Sequence, residues 1–277
     1  MQIQELLCFG AVAGQGNPAL VIQHGPADSA ARQALATLHQ RPASVFLSGD
    51  ADARTPAAVL DNALPEPVRM PVADYYYPHM RSPLCLHATL AAAHVLFGQQ
   101  GDATPITLRT AMRGQTLRLT REGERVFIAL APQAPAPIDV DAALAASLLG
   151  LPALAPRSPP QVASVGSPKL LIEVADLATL YALQPPLARI VDWGRAHGVN
   201  GCYVYCQVGA QDYEGRNFNH LDPALEDGAT GVAAGALSAL LGHGLRLFQG
   251  RARGAACLIE TRLDSGMILV GGRVETA

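Results

Sequence analysis

Two stretches of the sequence decide the fold: HATLAAAHVLF, residues His87–Phe97, and GATGVAAGALSALL, residues Gly228–Leu241. Each carries an Ala-Thr pair near its start and continues with small and aliphatic residues on every side of a helix, which predicts a buried helix. The uncharged stretch Gly228–Leu245 is interrupted by glycines and by His243, so a buried helix fits it better than a membrane span. The sequence therefore predicts one enclosed helix in each half of the chain.

The elements that precede these two helices also recur. Residues Gly16–Ile22 and Gly166–Ile172 both run from a Gly-x-Pro turn into an apolar segment typical of a strand. A short strand is predicted after each of them, at Val45–Leu47 and at Cys202–Tyr205. The turn, the strand and the Ala-Thr helix follow in the same order in both halves. Such an ordered repeat predicts that the chain is a duplication of one folding unit.

A Pro-rich joint at Pro132–Pro137 separates the two halves. We therefore place an N-terminal lobe at residues 1–131 and a C-terminal lobe at residues 138–277, and we allow the C-terminal tail to pack back on the N-terminal lobe. Each lobe is expected to be a sheet curled about one apolar helix, which makes the fold class α+β with a cleft between two similar lobes.

Further elements follow from local patterns. Helices are predicted at Ser29–Leu38 and Asp139–Leu149. Strands are predicted at Thr116–Thr120 and Val126–Leu130, on either side of a turn at Gly123.

The composition restricts the function. Apolar residues make up 49% of the 277 residues and charged residues 16%, which excludes wholesale disorder, and the net charge of −3 without a basic block argues against nucleic-acid binding. The odd number of cysteines, five, and the absence of a signal-peptide pattern favour free thiols and a cytoplasmic protein that binds no membrane. Cys202 and Cys206 share a strand face and are interpreted as structural. No nucleotide or metal motif occurs, so we expect no cofactor and no metal.

The starts of the two Ala-Thr helices are the first candidate site. A buried helix start leaves backbone amides that need partners, and Thr89 and Thr230 can cap them through their hydroxyls. The remaining amides, together with the helix dipole, suit an anion such as the carboxylate of a small-molecule ligand. The residues predicted to bind it are Ala88, Thr89, Gly228, Ala229, Thr230 and Gly231. The alternative is that both are simply capped core helices.

Several segments in order along the chain resemble one known family. They are Gly16–Pro18, Cys85–Leu96, Ser164–Pro168, Arg216–Phe218 followed by Glu226–Gly231, and Phe248–Gly250 followed by Val270–Gly272. The set is similar to the PhzF-like family of phenazine biosynthesis. The resemblance implies a diaminopimelate epimerase-like fold, with two lobes that each form a β-barrel around a central helix. It also implies a homodimer that acts as a cofactor-independent isomerase or epimerase of small amino or hydroxy acids, by proton transfer in the cleft.

The resemblance assigns the catalytic roles to His87 and Asp227, which stand at the two helix starts. An imidazole titrates near neutral pH and can transfer a proton, and a helix N-terminus disfavours its cation. A desolvated carboxylate can act as a base. Asn17 and Arg216 are expected to contact the substrate. Cys85 matches a catalytic thiol of the epimerase relatives, but the second half has Gly228 at the corresponding position, so we favour a structural role for Cys85.

Three positions depart from the family pattern. Ala43 stands where the family usually has the acid-base Glu, Leu86 replaces a Gly, and Val232 replaces a Ser. Two other interpretations therefore remain open. One is a catalytically degenerate ligand-binding protein, and the other is a different reaction, such as C–C hydrolysis or a lyase reaction, in the same cleft.

Overall fold

The computed structural model describes residues 1–49, 70–101, 104–219 and 226–277. The elements of the first half are β1 (Gln2–Cys8), β2 (Asn17–Gln23), α1 (Ser29–His39), β3 (Ala43–Ser48), β4 (Val72–Tyr76), β5 (Arg81–Ser82), α2 (Leu86–Gln100), β6 (Ile106–Thr110), β7 (Thr116–Glu122) and β8 (Arg125–Leu130). The second half contains α3 (Ala142–Leu149), β9 (Gln161–Ala163), β10 (Lys169–Glu173), α4 (Leu177–Ala182), α5 (Leu187–His197), β11 (Cys202–Gln207), β12 (Asp212–Phe218), α6 (Gly231–Leu241), β13 (Arg246–Gln249), β14 (Cys257–Asp264) and β15 (Met267–Thr276).

The N-terminal lobe is a closed eight-stranded barrel. Its strands follow the order β1, β2, β3, β4, β6, β7, β8 and β15, and β15 returns to pair with β1. The last strand of the chain therefore completes the first lobe, so the tail does pack on that lobe. In the C-terminal lobe, β9 to β14 form a second curled sheet that β15 joins to the first. The α+β fold with two lobes is confirmed, whereas the boundary between 1–131 and 138–277 stays a prediction.

Both predicted central helices are present and enclosed. In α2 every residue from Leu86 to Ala93 is buried, and most of α6 is buried as well. The two helices contribute to one continuous apolar core that passes through both lobes. A smaller core lies on the outer face of β10 to β12, under α3, α4 and α5, and it contains Cys202 and Cys206 on one strand face, as predicted. Among the described residues, no helix has both the length and the hydrophobicity to cross a bilayer.

The local predictions hold with small shifts at the ends of elements. The helix expected at Asp139–Leu149 begins at Ala142, because the side chain of Asp141 accepts a hydrogen bond from the amide of Leu144 at 2.7 Å and so caps the helix there. The turn between β7 and β8 lies at Gly123, whose φ of 60° favours a residue without a side chain.

Candidate active site between the two lobes

The starts of α2 and α6 meet between the lobes. A Cβ atom placed on Gly231, the first residue of α6, would lie 3.0 Å from the Cβ of Leu86, the first residue of α2. The two helix N-termini can approach this closely because Gly231 has no side chain. Their dipoles therefore direct two regions of positive potential toward one place. We call the side chains around it, Asn17, Cys85, His87, Asp227 and Thr230, the interlobe site.

Asp227 is held from both lobes. Its Oδ2 accepts a hydrogen bond from the hydroxyl of Thr230 at 2.6 Å, and its Oδ1 accepts one from the side-chain amide of Asn17 at 3.3 Å. The same amide nitrogen of Asn17 lies 3.3 Å from the carbonyl oxygen of Ala229. Asn17 begins β2 in the N-terminal lobe, so its amide connects that lobe to the start of α6. These contacts fix the orientation of the Asp227 carboxylate.

The predicted capping by Thr230 is wrong. Thr230 is the N-cap residue of α6, but its hydroxyl donates to Asp227 and makes no capping hydrogen bond. Gln249, at the end of β13, binds the helix start instead. Its Oε1 accepts from the Thr230 amide at 3.2 Å and from the Tyr203 hydroxyl at 3.0 Å, while its Nε2 donates to the Asp227 carbonyl at 2.8 Å. A side chain distant in sequence thus takes the role that was expected of a local one.

The predicted capping by Thr89 is also wrong. The helix α2 starts at Leu86, with Cys85 as its N-cap residue, so Thr89 lies inside the helix. Its hydroxyl bonds back to the carbonyl of Cys85 at 2.8 Å and also lies 2.8 Å from the hydroxyl of Tyr75. Neither N-cap residue places a side chain on the first-turn amides of its helix. The amides of both helix starts, which include those of Ala88 and Gly231, therefore remain suited to an anion.

His87 lies at the first turn of α2, and its Nδ1 is 3.3 Å from the Sγ of Cys85. Burial alone would lower the pKa of His87, but the neighbouring Cys85 and the carboxylate of Asp227 raise it, and the net pKa lies above its ordinary value. The expected effect of the helix start, which disfavours the cation, is thus outweighed by these two neighbours. His87 and Asp227, predicted from the two halves of the sequence, act on each other electrostatically.

Arg216 lies away from the interlobe site. Its Nε and Nη2 donate to the carboxylate of Glu226 at 2.9 and 2.7 Å, and its Nη1 donates to the carbonyls of Leu180 and Leu183. These contacts lie on the side of β12 that faces α4. Successive residues of a strand point to opposite faces, so it is Asn217, and not Arg216, that faces the interior of the lobe. The structure thus pairs Arg216 with Glu226, the neighbour of Asp227, and the expected contact of Arg216 with the substrate stays a prediction.

The three departures from the family pattern leave apolar groups near the helix starts. Ala43 is fully buried in β3, and its register partner in β2 is Ala19, so neither side chain of this pair carries an ionisable group. Leu86 packs against the start of α6, and Val232 contributes to the apolar core from the first turn of α6.

The sequence analysis missed three groups near the site. Gln249 and Asn217 are fully buried, and neither atom of the Asn217 side-chain amide has a partner among the described residues. Lys169, the first residue of β10, is fully buried, and its burial lowers its pKa to about 8 in spite of the opposing effect of Asp227. In the second Gly-x-Pro repeat, Lys169 stands at the position that Ala19 occupies in the first. This difference within an otherwise matched repeat is the signal that could have revealed Lys169.

Most of the interlobe site is buried in this structure, whereas Asp227 is partly exposed. The exposed fractions are 4% for Asn17, 4% for Cys85, 5% for Thr230 and 7% for His87. Open hollows of the surface lie elsewhere, one beside Arg273 and one between α3 and α5. The His87 side chain is therefore largely shielded from solvent, whereas the Asp227 side chain is partly accessible. In the part of the chain that the structure describes, no three His, Cys, Asp or Glu side chains are grouped as metal ligands.

Comparison with known proteins decides the family. The chain matches the phenazine biosynthesis-like protein family, PhzC-PhzF, over residues 7–267. The chain belongs to this family. A protein of Deinococcus radiodurans named an uncharacterized isomerase is 29% identical, with the alignment covering 98% of this chain and 88% of the relative.

Solved structures agree with this assignment. The structure of a predicted epimerase of Pseudomonas aeruginosa is 25% identical, with a TM-score of 0.77, and the match covers 99% of this chain and 96% of that one. A hydroxyproline epimerase of Agrobacterium vitis shares the fold, with a TM-score of 0.65 at 12% identity over 100% of this chain and 89% of that one. Family membership and relatives named isomerases or epimerases together support a general isomerase or epimerase function.

Proposed function

We propose that the protein is a cofactor-independent isomerase or epimerase that transfers a proton on a small carboxylate-bearing substrate, an amino or hydroxy acid, in the interlobe site. The observation that carries the proposal is the convergence of His87 and Asp227 at two helix starts that meet between the lobes. Each group is of a type that transfers protons, and each lies beside backbone amides that suit an anion.

The arrangement supports a division of roles. The amides of the first turns bind the substrate carboxylate, and the positive ends of both helix dipoles stabilise negative charge that develops next to it during proton removal. Asp227 is oriented by Thr230 and Asn17 and can accept the proton, while His87 can donate or accept one near neutral pH. The burial of Asn17, Thr230 and His87 keeps bulk water away from the reacting groups, and the partly exposed Asp227 marks the side from which a substrate enters.

Exchange in deuterated water tests this function. The wild-type protein is incubated with a panel of small amino and hydroxy acids, including proline-type acids because the hydroxyproline epimerase neighbour binds trans-4-hydroxy-L-proline. At least one acid is expected to exchange the hydrogen at the carbon next to its carboxylate, as measured by NMR or mass spectrometry. If no member of a broad panel exchanges, the isomerase proposal is wrong.

A binding protein without catalysis is the second candidate, because Ala43 carries no acid-base group and Leu86 fills part of the contact between the helix starts. If the protein only binds its ligand, no substrate hydrogen should exchange with deuterium, but a carboxylate ligand should raise the temperature at which the protein unfolds. A ligand at a hundred times its dissociation constant stabilises a protein by about 2.7 kcal/mol, which thermal unfolding detects. Protection without exchange would favour binding alone, and the absence of both would contradict both candidates.

We further propose that the protein is a homodimer in the cytoplasm. Support for the dimer comes from the high apolar and low charged content of the chain, and support for the location comes from five thiols that are all free and buried. Light scattering at micromolar concentration should give about twice the chain mass of 29.0 kDa. A mass near that of one chain would contradict the dimer.

A further inference from the structure

Lys169 is an unusual charged group in this protein. It is the single lysine of the chain, since all other basic residues that carry a permanent charge are arginines, and its exposed fraction is 0%. Among the described residues its Nζ has one hydrogen-bond partner, the backbone carbonyl of Asn200. An ammonium has three protons to donate, and burying it with incomplete pairing is costly. Such a residue needs an explanation beyond packing.

The start of β10 faces the N-terminal lobe. A Cβ atom on Gly166, three residues before Lys169, would lie 3.2 Å from the side chain of Leu84, which immediately precedes the N-cap residue of α2. The start of β2 lies in the same way beside the start of α6, in the other lobe, because Asn17 contacts Asp227 and Ala229. Lys169 is thus carried on a strand that begins beside the interlobe site.

The side chain of Lys169 points to the interior of its lobe. Leu170 and Ile172 belong to the outer core under α3 to α5, whereas Leu171 belongs to the core that contains α2 and α6. Because side chains alternate along a strand, Lys169 shares the inward face with Leu171. The register between β9 and β10 places Ala163 opposite Lys169, and Gly201 immediately precedes the β11 partner of Leu170, so the neighbouring positions carry only small residues.

A second buried polar group shares this face. Asn217 in β12 pairs in register with Tyr203 and forms a backbone bridge with Asp227. It is fully buried, and its amide nitrogen and amide oxygen both lack partners within the described residues. A buried amide that is left without partners costs free energy unless a ligand or water satisfies it. Asn217 is thus joined to Asp227 by a backbone bridge, and Lys169 on β10 interacts electrostatically with the same Asp227.

The equivalent place in the N-terminal lobe carries no such group. Ala19 is the third residue after Gly16, as Lys169 is the third after Gly166, and Ala19 pairs with Ala43. The N-terminal barrel thus presents two methyl groups where the C-terminal sheet presents a lysine beside a glycine. A titratable side chain thus stands at the start of β10, at the position that Ala19 occupies in the N-terminal lobe.

We propose that Lys169 is the second proton-transferring group of the interlobe site, and this inference rests on the proposed isomerase function. His87 or Asp227 removes a proton from the substrate carbon, and the electron pair of the broken C–H bond delocalises into the substrate. The Lys169 ammonium then gives a proton to the carbon that is reprotonated and becomes a neutral amine. When the product leaves, the protonated base and the amine exchange protons with water, which restores the starting state.

The electrostatic surroundings suit this role. Burial lowers the pKa of Lys169 to about 8, so both the ammonium and the amine are accessible near neutral pH. The titratable groups that act on it are Asp227 and Cys202, and both raise its pKa. The pKa of Cys202 is itself raised to about 12 by burial, so this thiol stays neutral over the pH range in which Lys169 titrates.

The exchange assay with Lys169→Met and Lys169→Arg tests the inference on any acid that the wild type exchanges. Both variants are expected to lose roughly a hundredfold in rate, because methionine has no proton and arginine does not release one near neutral pH. Arginine keeps the positive charge, so a wild-type rate in Lys169→Arg would overturn the role in proton transfer. A wild-type rate in Lys169→Met would overturn any role. If the wild type itself exchanges nothing, it is the isomerase proposal that fails.

A spectroscopic measurement follows the amine without a substrate. Because the chain has one lysine, labelling lysine with ¹³C at Cε gives one side-chain resonance from the chain. Its titration midpoint is expected near pH 8, and Asp227→Asn should move it lower by removing the carboxylate that favours the ammonium. A midpoint near the ordinary value for lysine, or one that Asp227→Asn leaves unchanged, would contradict the placement of Lys169 beside the site.

Discussion

Asp227→Asn is expected to slow exchange at the substrate carbon by roughly a hundredfold or more, the usual contribution of a general acid or base. Asparagine has the shape of aspartate, and it can still accept through its oxygen the hydrogen bond that the Thr230 hydroxyl gives to Asp227. The hydrogen bond to Thr230 should therefore survive, while the negative charge and the acceptor for the Asn17 amide are lost. The measurement is the initial rate of deuterium incorporation at saturating substrate.

A matched control is Asp264→Asn, which makes the same chemical change at an exposed residue at the end of β14. The control should exchange at the wild-type rate. If Asp227→Asn and Asp264→Asn were equally active, Asp227 would have no part in proton transfer. If both were equally impaired, the loss would reflect a general effect of the change in net charge.

His87→Asn is expected to reduce exchange to a similar extent, and it should also change the pH dependence. The pKa of His87 in the folded protein lies above its ordinary value, because Cys85 and Asp227 raise it against the effect of burial. A rate that depends on the ionisation of His87 should change across that raised pKa, and the change should disappear in the variant. Rate profiles from pH 5 to pH 9, roughly the range in which histidines in proteins titrate, would show this difference.

The same residue links pH to stability. A raised pKa in the folded state means that the folded protein binds the proton more tightly than the unfolded chain. The stabilisation is therefore complete below the ordinary pKa of 6.5 and is lost as the pH rises through the folded pKa. His39→Asn, at an exposed position in the last turn of α1, serves as the control and should retain both pH dependences. Equal profiles in the wild type and His87→Asn would count against this account.

Much of the fold could be predicted from local patterns. The Gly-x-Pro turns at Gly16 and Gly166 and the two Ala-Thr helices recur in order, and each corresponds to a turn, strand or helix of the structure. These features are readable because periodicity and turn residues act over short distances along the chain. The closure of the first barrel by β15 depends instead on strand pairing between the two ends of the chain, and the sequence only suggested that the tail could return.

The site was predicted less completely, for a related physical reason. His87 and Asp227 were predicted because each stands next to a recognisable helix start, and their catalytic roles stay a prediction. The capping by Gln249 and the position of Lys169 depend on contacts between distant elements, and such contacts leave no local pattern. The partners of Arg216 were likewise not foreseen, because its place on the outer face of β12 depends on strand register, and a shift of one residue would have turned it inward.

The return of β15 has a consequence for how the protein is made. During synthesis the N-terminal lobe leaves the ribosome first, but its barrel has an open seam between β1 and β8 until the last residues, Met267–Thr276, are added. Exposed strand edges of this kind pair readily with other chains. The barrel of the N-terminal lobe therefore cannot close until Met267–Thr276 has been synthesised. A nascent chain that stops before Met267 would present both unpaired edges to the chaperones and to its neighbours.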